Sequence, residues 1–318
     1  MSSKIFASVL IILTLITVSC KPSEDYSAQG DKLKVIASIF PLYDFARAVG
    51  GEKVSVSMLI PAGADAHNYE LRPDEIVKVI NTDVFLFINF EMEQWAHKII
   101  GSAVEKTNML AVETGKGTIL LPLSASMHHS SHTNHEHNAS RFDPHIWLDF
   151  ANAQIIIDNI TEAFINKDQK NSDYYKNNAR EYKSQLISLD KKYRRGLAKC
   201  QSNTILHAGH WAFAYMAKRY KLKYIAAYST SAEAEPLPEN IFNLVEQTKE
   251  MNTPYIFYED FIAPRLAKTI AQESGAELLK LSNGHDISKN DIKKGVTFLN
   301  LMEENLLNLQ KGLSCPQP

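Results

Sequence analysis

The chain has 318 residues, of which 45% are hydrophobic and 22% are charged, and its formal net charge at pH 7 is −2. So small and mixed a charge argues against a nucleic-acid-binding protein and against a basic protein of the membrane surface. The length and the hydrophobic content are enough for about two domains with buried cores. Separately, we expect the protein to be a monomer.

Residues 1–19 are the first predicted element, a signal peptide. Their uncharged stretch is shorter than the roughly 20 residues that a membrane helix needs. The segment LITVSC, which ends at Cys20, resembles a bacterial lipobox with threonine where leucine is usual. We therefore predict lipidation of Cys20, a polar tether over 20–31 and an extracytoplasmic protein anchored to the bacterial membrane by its lipid. Ordinary cleavage and secretion is the alternative.

From residue 32 the chain alternates short β-rich runs with amphipathic helical segments, which is typical of a parallel sheet flanked by helices. Pro41 and Pro73 stand at predicted helix starts, where proline is well tolerated. The predicted strands of this N-terminal α/β lobe, which extends over 32–171, are 33–39, 54–60, 84–89 and 108–112.

A long charged helix, predicted over 172–197, follows a helix over 149–166. About 25 helical residues span roughly 37 Å, enough to join two lobes as a rigid linker over 172–199. The C-terminal lobe, 200–318, has predicted strands at 203–207, 223–228, 254–258 and 276–281 and a final helix over 289–311. The predicted fold is therefore α/β, with two Rossmann-like lobes of parallel strands joined by one long helix.

Two cysteines remain once Cys20 is assigned to the lipid. Cys200 and Cys315 are far apart in sequence, and in an oxidising compartment such an even pair predicts a disulfide. It would tie the C-terminal tail to the start of the second lobe. The alternative is one buried thiol and one reactive thiol on the tail.

Three histidines lie in loops next to predicted strands or helices, where ligands collect in parallel α/β sheets. His67 follows the second strand, His145 precedes the helix over 149–166, and His210 lies between a strand and a helix. The positive end of that helix dipole favours the neutral, coordinating form of His210. Asp286 is the predicted fourth ligand, with His285 as its rival. Together they predict a metal site between the lobes.

Other histidines have less specific settings. We interpret His97 as a packed or surface residue and His207 as structural or supporting. A histidine-rich loop over 127–138 is predicted to be an auxiliary, weaker metal-binding segment, because neutral imidazole coordinates metals but ordering a loop costs entropy. A solvated low-complexity loop is the alternative. Its histidines are His128, His129, His132, His135 and His137.

Several segments together resemble the zinc- and manganese-binding proteins of bacterial ABC importers, the ZnuA-like and TroA-like family. They are PAGADAHNYELRPDEI, DPHIWLDF, HWAFAYMAKRYKL, AEAEPLPENI and GVTFLNLMEENLLNLQKGL. The resemblance covers essentially the whole mature chain. It implies two α/β lobes, one long linking helix and a metal in the cleft. Matched by motif, the implied ligands are His67, His145, His210 and Asp286, the last as in manganese-binding members.

The resemblance also indicates which metal the chain carries. Manganese binders of the family tend to have glutamate where His210 stands, and zinc accepts imidazole nitrogen more readily than manganese does. The histidine-rich loop also resembles the zinc branch. The implied function is capture of Zn²⁺, with Mn²⁺ less favoured, and its delivery to the membrane permease and ATPase of an ABC importer. The implied protein is not an enzyme.

Three alternatives stay open at this point. One is a homologue that binds manganese or iron, and another is an adhesin-type surface lipoprotein. The third is an extracytoplasmic metallohydrolase, since three histidines with an open fourth position also hold catalytic zinc. The sequence lacks the spacing of a metalloprotease helix at His135 and His137 and has no nucleophile turn of the G-x-S-x-G type.

Overall fold

The structure is a computed structural model that describes residues 32–64, 66–67, 69–103, 107–123, 142–228, 238–259 and 264–316. The predicted signal peptide, Cys20, the tether and all five histidines of the 127–138 loop lie outside these residues. Residues 32–318 form one compact unit. No helix within the described ranges has the length and apolar character needed to cross a membrane.

Two four-stranded parallel sheets form the framework, as predicted. The first has the strand order β2 (Val54–Met58), β1 (Leu33–Ala37), β3 (Val84–Phe87) and β4 (Leu110–Glu113). The second has the order β6 (Lys223–Ala226), β5 (Thr204–His207), β7 (Tyr255–Tyr258) and β8 (Glu277–Lys280), so each half of the chain repeats one topology. In such a sheet the order reverses between its first and third strands, and loops at the carboxyl ends of those strands form a crevice.

The first half of the chain alternates strands and helices. Its elements are β1 (Leu33–Ala37), α1 (Phe40–Gly50), β2 (Val54–Met58), α2 (Pro73–Ile80), β3 (Val84–Phe87), α3 (Ala96–Ala103), β4 (Leu110–Glu113) and α4 (Phe150–Lys167). A 3₁₀ turn, Ile146–Leu148, precedes α4. The strand runs were recognisable because buried β-branched and aromatic residues stand between turn residues.

The second half begins with the long helix α5 (Ser172–Gly196). It continues with β5 (Thr204–His207), α6 (Ala214–Tyr220), β6 (Lys223–Ala226), α7 (Pro238–Glu250), β7 (Tyr255–Tyr258), α8 (Pro264–Ser274), β8 (Glu277–Lys280), α9 (Lys289–Lys293) and α10 (Phe298–Gly312).

One hydrophobic core is shared by both sheets. It contains Val35 and Leu86 from the first sheet and Ile205 and Phe257 from the second. Neighbouring residues point the other way, because side chains alternate along a strand. The outward residues of the first sheet pack against α2 and α3, and those of the second pack against α7 and α8. The two lobes are therefore joined by packing as well as by the chain.

Helix α5 contributes to this joint along most of its length. Its buried residues recur every three or four positions and so form one stripe on an otherwise charged helix; they are Tyr175, Ala179, Tyr182, Leu186, Leu189 and Tyr193. At one point the Tyr182 hydroxyl and the Phe298 amide both donate to Asp44 Oδ2, at 2.8 and 3.0 Å. Burial raises the pKa of Asp44. This carboxyl group joins α1, α5 and α10.

A second junction lies further along α5. Arg219 of α6 donates two parallel hydrogen bonds to Asp190 of α5, both 2.8 Å long. The same guanidinium donates to Asp149 Oδ1 at 2.7 Å, and Asp149 caps the first turn of α4. A bidentate pair of this kind fixes geometry as well as charge.

The final helix differs from the prediction of one helix over 289–311. The structure has α9 and α10 instead, with a break around Gly295, whose φ of +71° suits glycine better than other residues. Thr297 then caps α10, accepting a hydrogen bond from the Asn300 amide at 3.1 Å. The apolar periodicity correctly indicated α10, but it did not reveal the turn that separates α10 from α9.

The structure joins Cys200 and Cys315 in a disulfide that spans 115 residues of sequence. Cys200 precedes β5, so this bond lies at the end of the second sheet opposite to the carboxyl ends of its strands.

Replacing both Cys200 and Cys315 with serine is expected to lower the free energy of unfolding by about 2–5 kcal/mol, since the crosslink restricts a long loop of the unfolded chain. Urea denaturation measures the change. Wild-type protein unfolded in a thiol reductant serves as the control and should lose the same amount. An unchanged midpoint in the serine variant would show that the crosslink adds nothing.

Candidate metal centre

Four histidines from four different loops converge between the two sheets. His67 follows β2, and His145 immediately precedes the 3₁₀ turn before α4. His210 follows β5 and His285 follows β8. His145, His210 and His285 are buried, whereas His67 is partly buried. One nitrogen of each ring lies within 4.8 Å of the corresponding nitrogen of every other ring.

The shortest distances in the group involve His145. Its Nε2 lies 3.2 Å from His67 Nε2 and 3.1 Å from His210 Nε2. Four nitrogens at 2.0–2.1 Å from a tetrahedral zinc ion would be separated by about 3.3 Å. The two nitrogen–nitrogen distances are therefore close to those expected around a tetrahedral zinc ion.

The rings themselves are arranged as a tetrahedron. The six distances between ring centroids range from 5.0 Å, for His67 with His145 and for His145 with His210, to 6.0 Å for His210 with His285. The largest exceeds the smallest by a factor of about 1.2, whereas any four points in one plane need a factor of at least about 1.4, so the four ring centroids do not lie in one plane.

Carboxyl groups stand behind three of the four rings. Asp143 Oδ1 lies 2.8 Å from His145 Nδ1, and Glu259 Oε2 lies 2.8 Å from His210 Nδ1. Asp286 Oδ1 is 3.1 Å from His285 Nδ1. At His145 and His210 the carboxyl group at Nδ1 holds the ring in the orientation that directs Nε2 toward a metal and makes that nitrogen more basic. His285 Nδ1 lies near Asp286 without making a hydrogen bond among the described residues.

Glu259 also links the two ligand loops of the second lobe. Its Oε2 accepts a hydrogen bond from the His210 amide at 3.2 Å, and its Oε1 accepts one from Asn283 Nδ2 at 2.6 Å. Asn283 Oδ1 in turn accepts from the amides of His285 and Asp286. The positions of His210 and His285 are thus set by one hydrogen-bonded unit.

Trp147 connects this unit to the first lobe. Its indole Nε1 donates to the Asn283 carbonyl at 2.8 Å. Gly284 has φ +81°, and a Cβ there would lie 2.9 Å from the ring of Phe298 and 3.4 Å from Trp147 Nε1. Only glycine fits this backbone without strain. The loop that carries His285 is therefore held against the loop that carries His145.

Burial dominates the electrostatics of the cluster. Desolvation and the nearby rings of His285 and His210 lower the pKa of His67. Desolvation with the rings of His210 and His67 does the same to the pKa of His145. Neutral imidazoles are the form that coordinates a metal. The site is thus prepared to accept a cation without first losing protons from these two rings at neutral pH.

The structure brings His67, His145 and His210 together. Asp286, the predicted fourth ligand, is not among the converging atoms. His285, the alternative fourth ligand, is among them. The reason is local, since the Asp286 carboxylate faces His285 Nδ1 and accepts from Asn283 Nδ2 at 2.7 Å.

Two further histidines lie outside the cluster. His97 is exposed and its ring stacks on Phe90 with centroids 3.6 Å apart. His207 is buried, its Nδ1 lies 3.1 Å from the Tyr224 hydroxyl, and desolvation lowers its pKa to about 4. His207 Nε2 is 3.8 Å from Glu259 Oε2, so this ring packs against the group that holds His210.

The supporting carboxyl groups were not predicted from the sequence. Asp143 stands two residues before His145, and Glu259 comes directly after β7 at the edge where the strand order reverses. Both positions could have been recognised in the sequence, because polar residues beside a predicted ligand or at the carboxyl end of a strand lie where ligands bind in such sheets. Desolvation raises the pKa of Asp143 to about 7, against the hydrogen bond from the His145 amide.

Comparison with known proteins agrees with this architecture. The model of the family described as ZnuA, zinc-uptake complex component A, periplasmic, matches residues 35–312. The high-affinity zinc uptake system protein ZnuA of Bacillus subtilis (strain 168) is 32% identical over 312 residues, which cover 97% of this chain and 96% of that protein. The zinc-binding lipoprotein AdcA of Streptococcus pneumoniae (strain ATCC BAA-255 / R6) is 29% identical over 308 residues, and the chain spans 60% of its length.

A solved structure has the same fold. The crystal structure of the Zn(II)-bound ZnuA-like domain of Streptococcus pneumoniae AdcA aligns with a TM-score of 0.74 at 28% identity, covering 89% of this chain and 99% of that domain. Two parallel α/β lobes with imidazoles gathered between them define a two-lobed solute-binding protein. Within that class, the chain belongs to the ZnuA family.

Gly209 provides a direct test of the support behind His210. A Cβ at this position would lie 2.5 Å from Glu259 Oε2 and would also collide with His207 Cε1. Gly209→Ala is therefore expected to displace Glu259 from His210 and to weaken zinc binding by about 10–100-fold, as loss of an outer hydrogen-bond partner does. A competition titration with a chromophoric chelator measures the affinity.

The matched control is Gly101→Ala, because a Cβ on Gly101 in α3 meets no atom within 4 Å. It should leave zinc affinity unchanged. Equal affinities for wild type and Gly209→Ala would mean that Glu259 does not position His210.

Proposed function

We propose that this chain captures one Zn²⁺ between its two lobes and delivers it to a membrane importer. The observation that carries the proposal is the convergence of four imidazoles, with one nitrogen each within 4.8 Å of the others. His67, His145 and His210 are the proposed ligands, and His285 supplies the fourth ring. This group of four histidines is proposed in place of the ligand set predicted from the sequence, in which Asp286 was the fourth ligand.

The geometry favours zinc among the divalent ions. Zinc takes four ligands in a tetrahedron and accepts imidazole nitrogen, whereas square-planar sites suit Cu(II) or Ni(II) and oxygen-rich octahedral sites suit manganese. The tetrahedral arrangement of the rings supports this choice. The names of the relatives, a zinc uptake system protein and a zinc-binding lipoprotein, support it independently.

Delivery requires partners that this chain does not contain. The matched family is described as a component of a zinc-uptake complex, which supports an ABC importer with a membrane permease and an ATPase as the partner. The family description as periplasmic supports an extracytoplasmic location. We propose further that Cys20 carries a lipid that anchors the chain to the membrane and that the chain works as a monomer.

Carriage fits the cluster better than catalysis does. Catalytic zinc keeps a position open for water or substrate, whereas sites with four protein ligands are closed. Four rings around one point leave no such position. The solute-binding role is therefore favoured over the extracytoplasmic hydrolase. The histidines of the 127–138 loop are proposed as an auxiliary site of lower affinity.

A pair of alanine substitutions separates the two histidine groups. His145→Ala is expected to weaken zinc binding by about 100-fold or more, because it removes a ring with two near neighbours in the cluster. His132→Ala should have little effect, and deletion of 128–138 should leave one tight zinc per chain. Competition titration gives affinity and stoichiometry. Equal losses of zinc affinity in His145→Ala and His132→Ala would indicate that the main zinc site lies in the 127–138 loop.

The affinity for zinc should depend on pH in a defined direction. Protons and zinc compete for the same ring nitrogens, so affinity is expected to fall between about pH 7.5 and about pH 5. Since burial lowers the pKa of His67 and His145 below the ordinary 6.5, most of the fall should come below that value. Circular dichroism at each pH controls for folding. An affinity that stayed constant down to the pH at which the protein unfolds would contradict imidazole ligation.

A further inference from the structure

We infer that Tyr224 is a positioning residue for the proposed ligand His210, because its hydroxyl group holds the backbone of the turn that carries this ring. His207 completes the arrangement as a further partner of the same hydroxyl. The inference rests on the proposed function and deepens it: the affinity of the cleft for Zn²⁺ depends on an edge strand whose side chain is not among the converging ligand atoms.

The first argument is the position of the Tyr224 hydroxyl. Tyr224 lies in β6 and pairs with Ile205 of β5, the strand that leads into the loop of His210. Its hydroxyl donates to the His210 carbonyl at 2.8 Å and accepts from the Ala212 amide at 3.2 Å. The Ala212 amide also donates to the His210 carbonyl at 2.9 Å, which closes a three-residue turn. The hydroxyl therefore bridges both ends of the turn that begins at the ligand.

The second argument concerns the hydrogen atoms of these groups. A tyrosine hydroxyl has one hydrogen to donate, whereas a carbonyl oxygen can only accept. The hydrogen of Tyr224 therefore points at the His210 carbonyl. The contact of 3.1 Å between this hydroxyl and His207 Nδ1 then requires a hydrogen on the ring nitrogen. The structure thus assigns the tautomer of His207, with its proton on Nδ1.

The surroundings of His207 agree with this tautomer. Desolvation lowers the pKa of His207 to about 4, so the ring is neutral at pH 7 and has one N–H. A proton on Nε2 would gain no hydrogen bond, since Glu259 Oε2 lies 3.8 Å from that nitrogen. The ring therefore donates to the Tyr224 hydroxyl and leaves the hydrogen of that hydroxyl for His210.

Aromatic neighbours hold the ring of Tyr224 in place. The centroid of Trp211, which lies inside the turn, is 4.5 Å from that of Tyr224, and Phe213 meets the same ring edge-on at 6.0 Å. His207 packs edge-on against Phe213 at 5.0 Å. Packing of this kind restricts an aromatic side chain strongly. The hydroxyl is thus held in position by protein contacts alone.

Tyr224 and Glu259 hold His210 from two sides. Glu259 Oε2 accepts from the His210 amide and lies 2.8 Å from its Nδ1, whereas Tyr224 holds the carbonyl of the same residue. The amide, the carbonyl and the ring are therefore fixed by groups from two strands of the second sheet. A ligand that is already in place loses less freedom when it binds, and it binds more tightly for that reason. Loss of the hydroxyl should lower zinc affinity without removing a ligand.

Tyr224→Phe tests the inference, since it removes the hydroxyl and keeps the ring. We expect zinc affinity to fall about tenfold, as measured by chelator competition, because an outer hydrogen-bond partner of the ligand is lost. The ligand-field absorption bands of the Co²⁺-loaded variant should also differ from those of wild type, since these bands report the geometry of the donor atoms around the ion.

The matched control is Tyr175→Phe, which removes a buried hydroxyl that donates to Asp168 Oδ2 at 2.7 Å. Both variants lose hydrogen bonding by a tyrosine, so a general loss of stability would affect them alike. Tyr175→Phe should match wild type in zinc affinity and in the cobalt spectrum. An affinity of Tyr224→Phe within about twofold of wild type, or an unchanged cobalt spectrum, would overturn the inference and leave zinc capture standing.

A measurement on the unaltered chain covers the case in which Tyr224→Phe folds poorly. Long-range proton–nitrogen NMR correlations distinguish the two neutral tautomers of imidazole, and His207 should have its proton on Nδ1 with and without zinc. A proton on Nε2 would overturn the inference, because the hydroxyl would then donate to His207 instead of His210. Absence of tight zinc binding by wild type would instead overturn the proposed function, and the tautomer in the metal-free protein would still test the contact between Tyr224 and His210.

Discussion

The structure depends on keeping four imidazoles close together in a place that water hardly reaches. Each ring has a polar nitrogen that must be buried, which is costly unless it finds a partner. The fold manages this by drawing the four loops from both sheets and by placing Asp143, Glu259 and Asp286 behind three of the rings. The Nε2 atoms of His67 and His210 each lie close to that of His145, and a metal ion is a ligand that this arrangement fits.

The rest of the architecture can be understood as the means of holding that arrangement. Two repeats of one sheet topology bring the carboxyl ends of their strands toward each other, and the shared core with α5 joins them. Asp44 and Arg219 each contact elements from both lobes and from α5. These junctions lie outside the cluster, so the distance between the rings is governed by packing that is separate from the ligands themselves.

Much of this could be predicted from the sequence, and the failures have local causes. Strands such as β1 and β3 were evident because apolar runs end at turn residues. His67, His145 and His210 could be picked out because they sit in loops beside strands and helices. The choice between His285 and Asp286 could not be made, since the two are adjacent in one loop, and their positions depend on the left-handed turn at Gly284 and on the hydrogen bonds of Asn283. The break before α10 was missed because periodicity alone does not register a single left-handed glycine.

The chemistry of the donor atoms has one more consequence. Many protein zinc sites rely on thiolates, which oxidants convert to disulfides and thereby force the metal out. Here the four converging donors are nitrogens, and Cys200 and Cys315 are already bonded to each other at the far end of the second sheet. An oxidant therefore has no sulfur to attack among these four donors. Unloading has to be mechanical or acid-driven, by separating the rings or protonating them, and the centre can operate unchanged in surroundings that would empty a cysteine site.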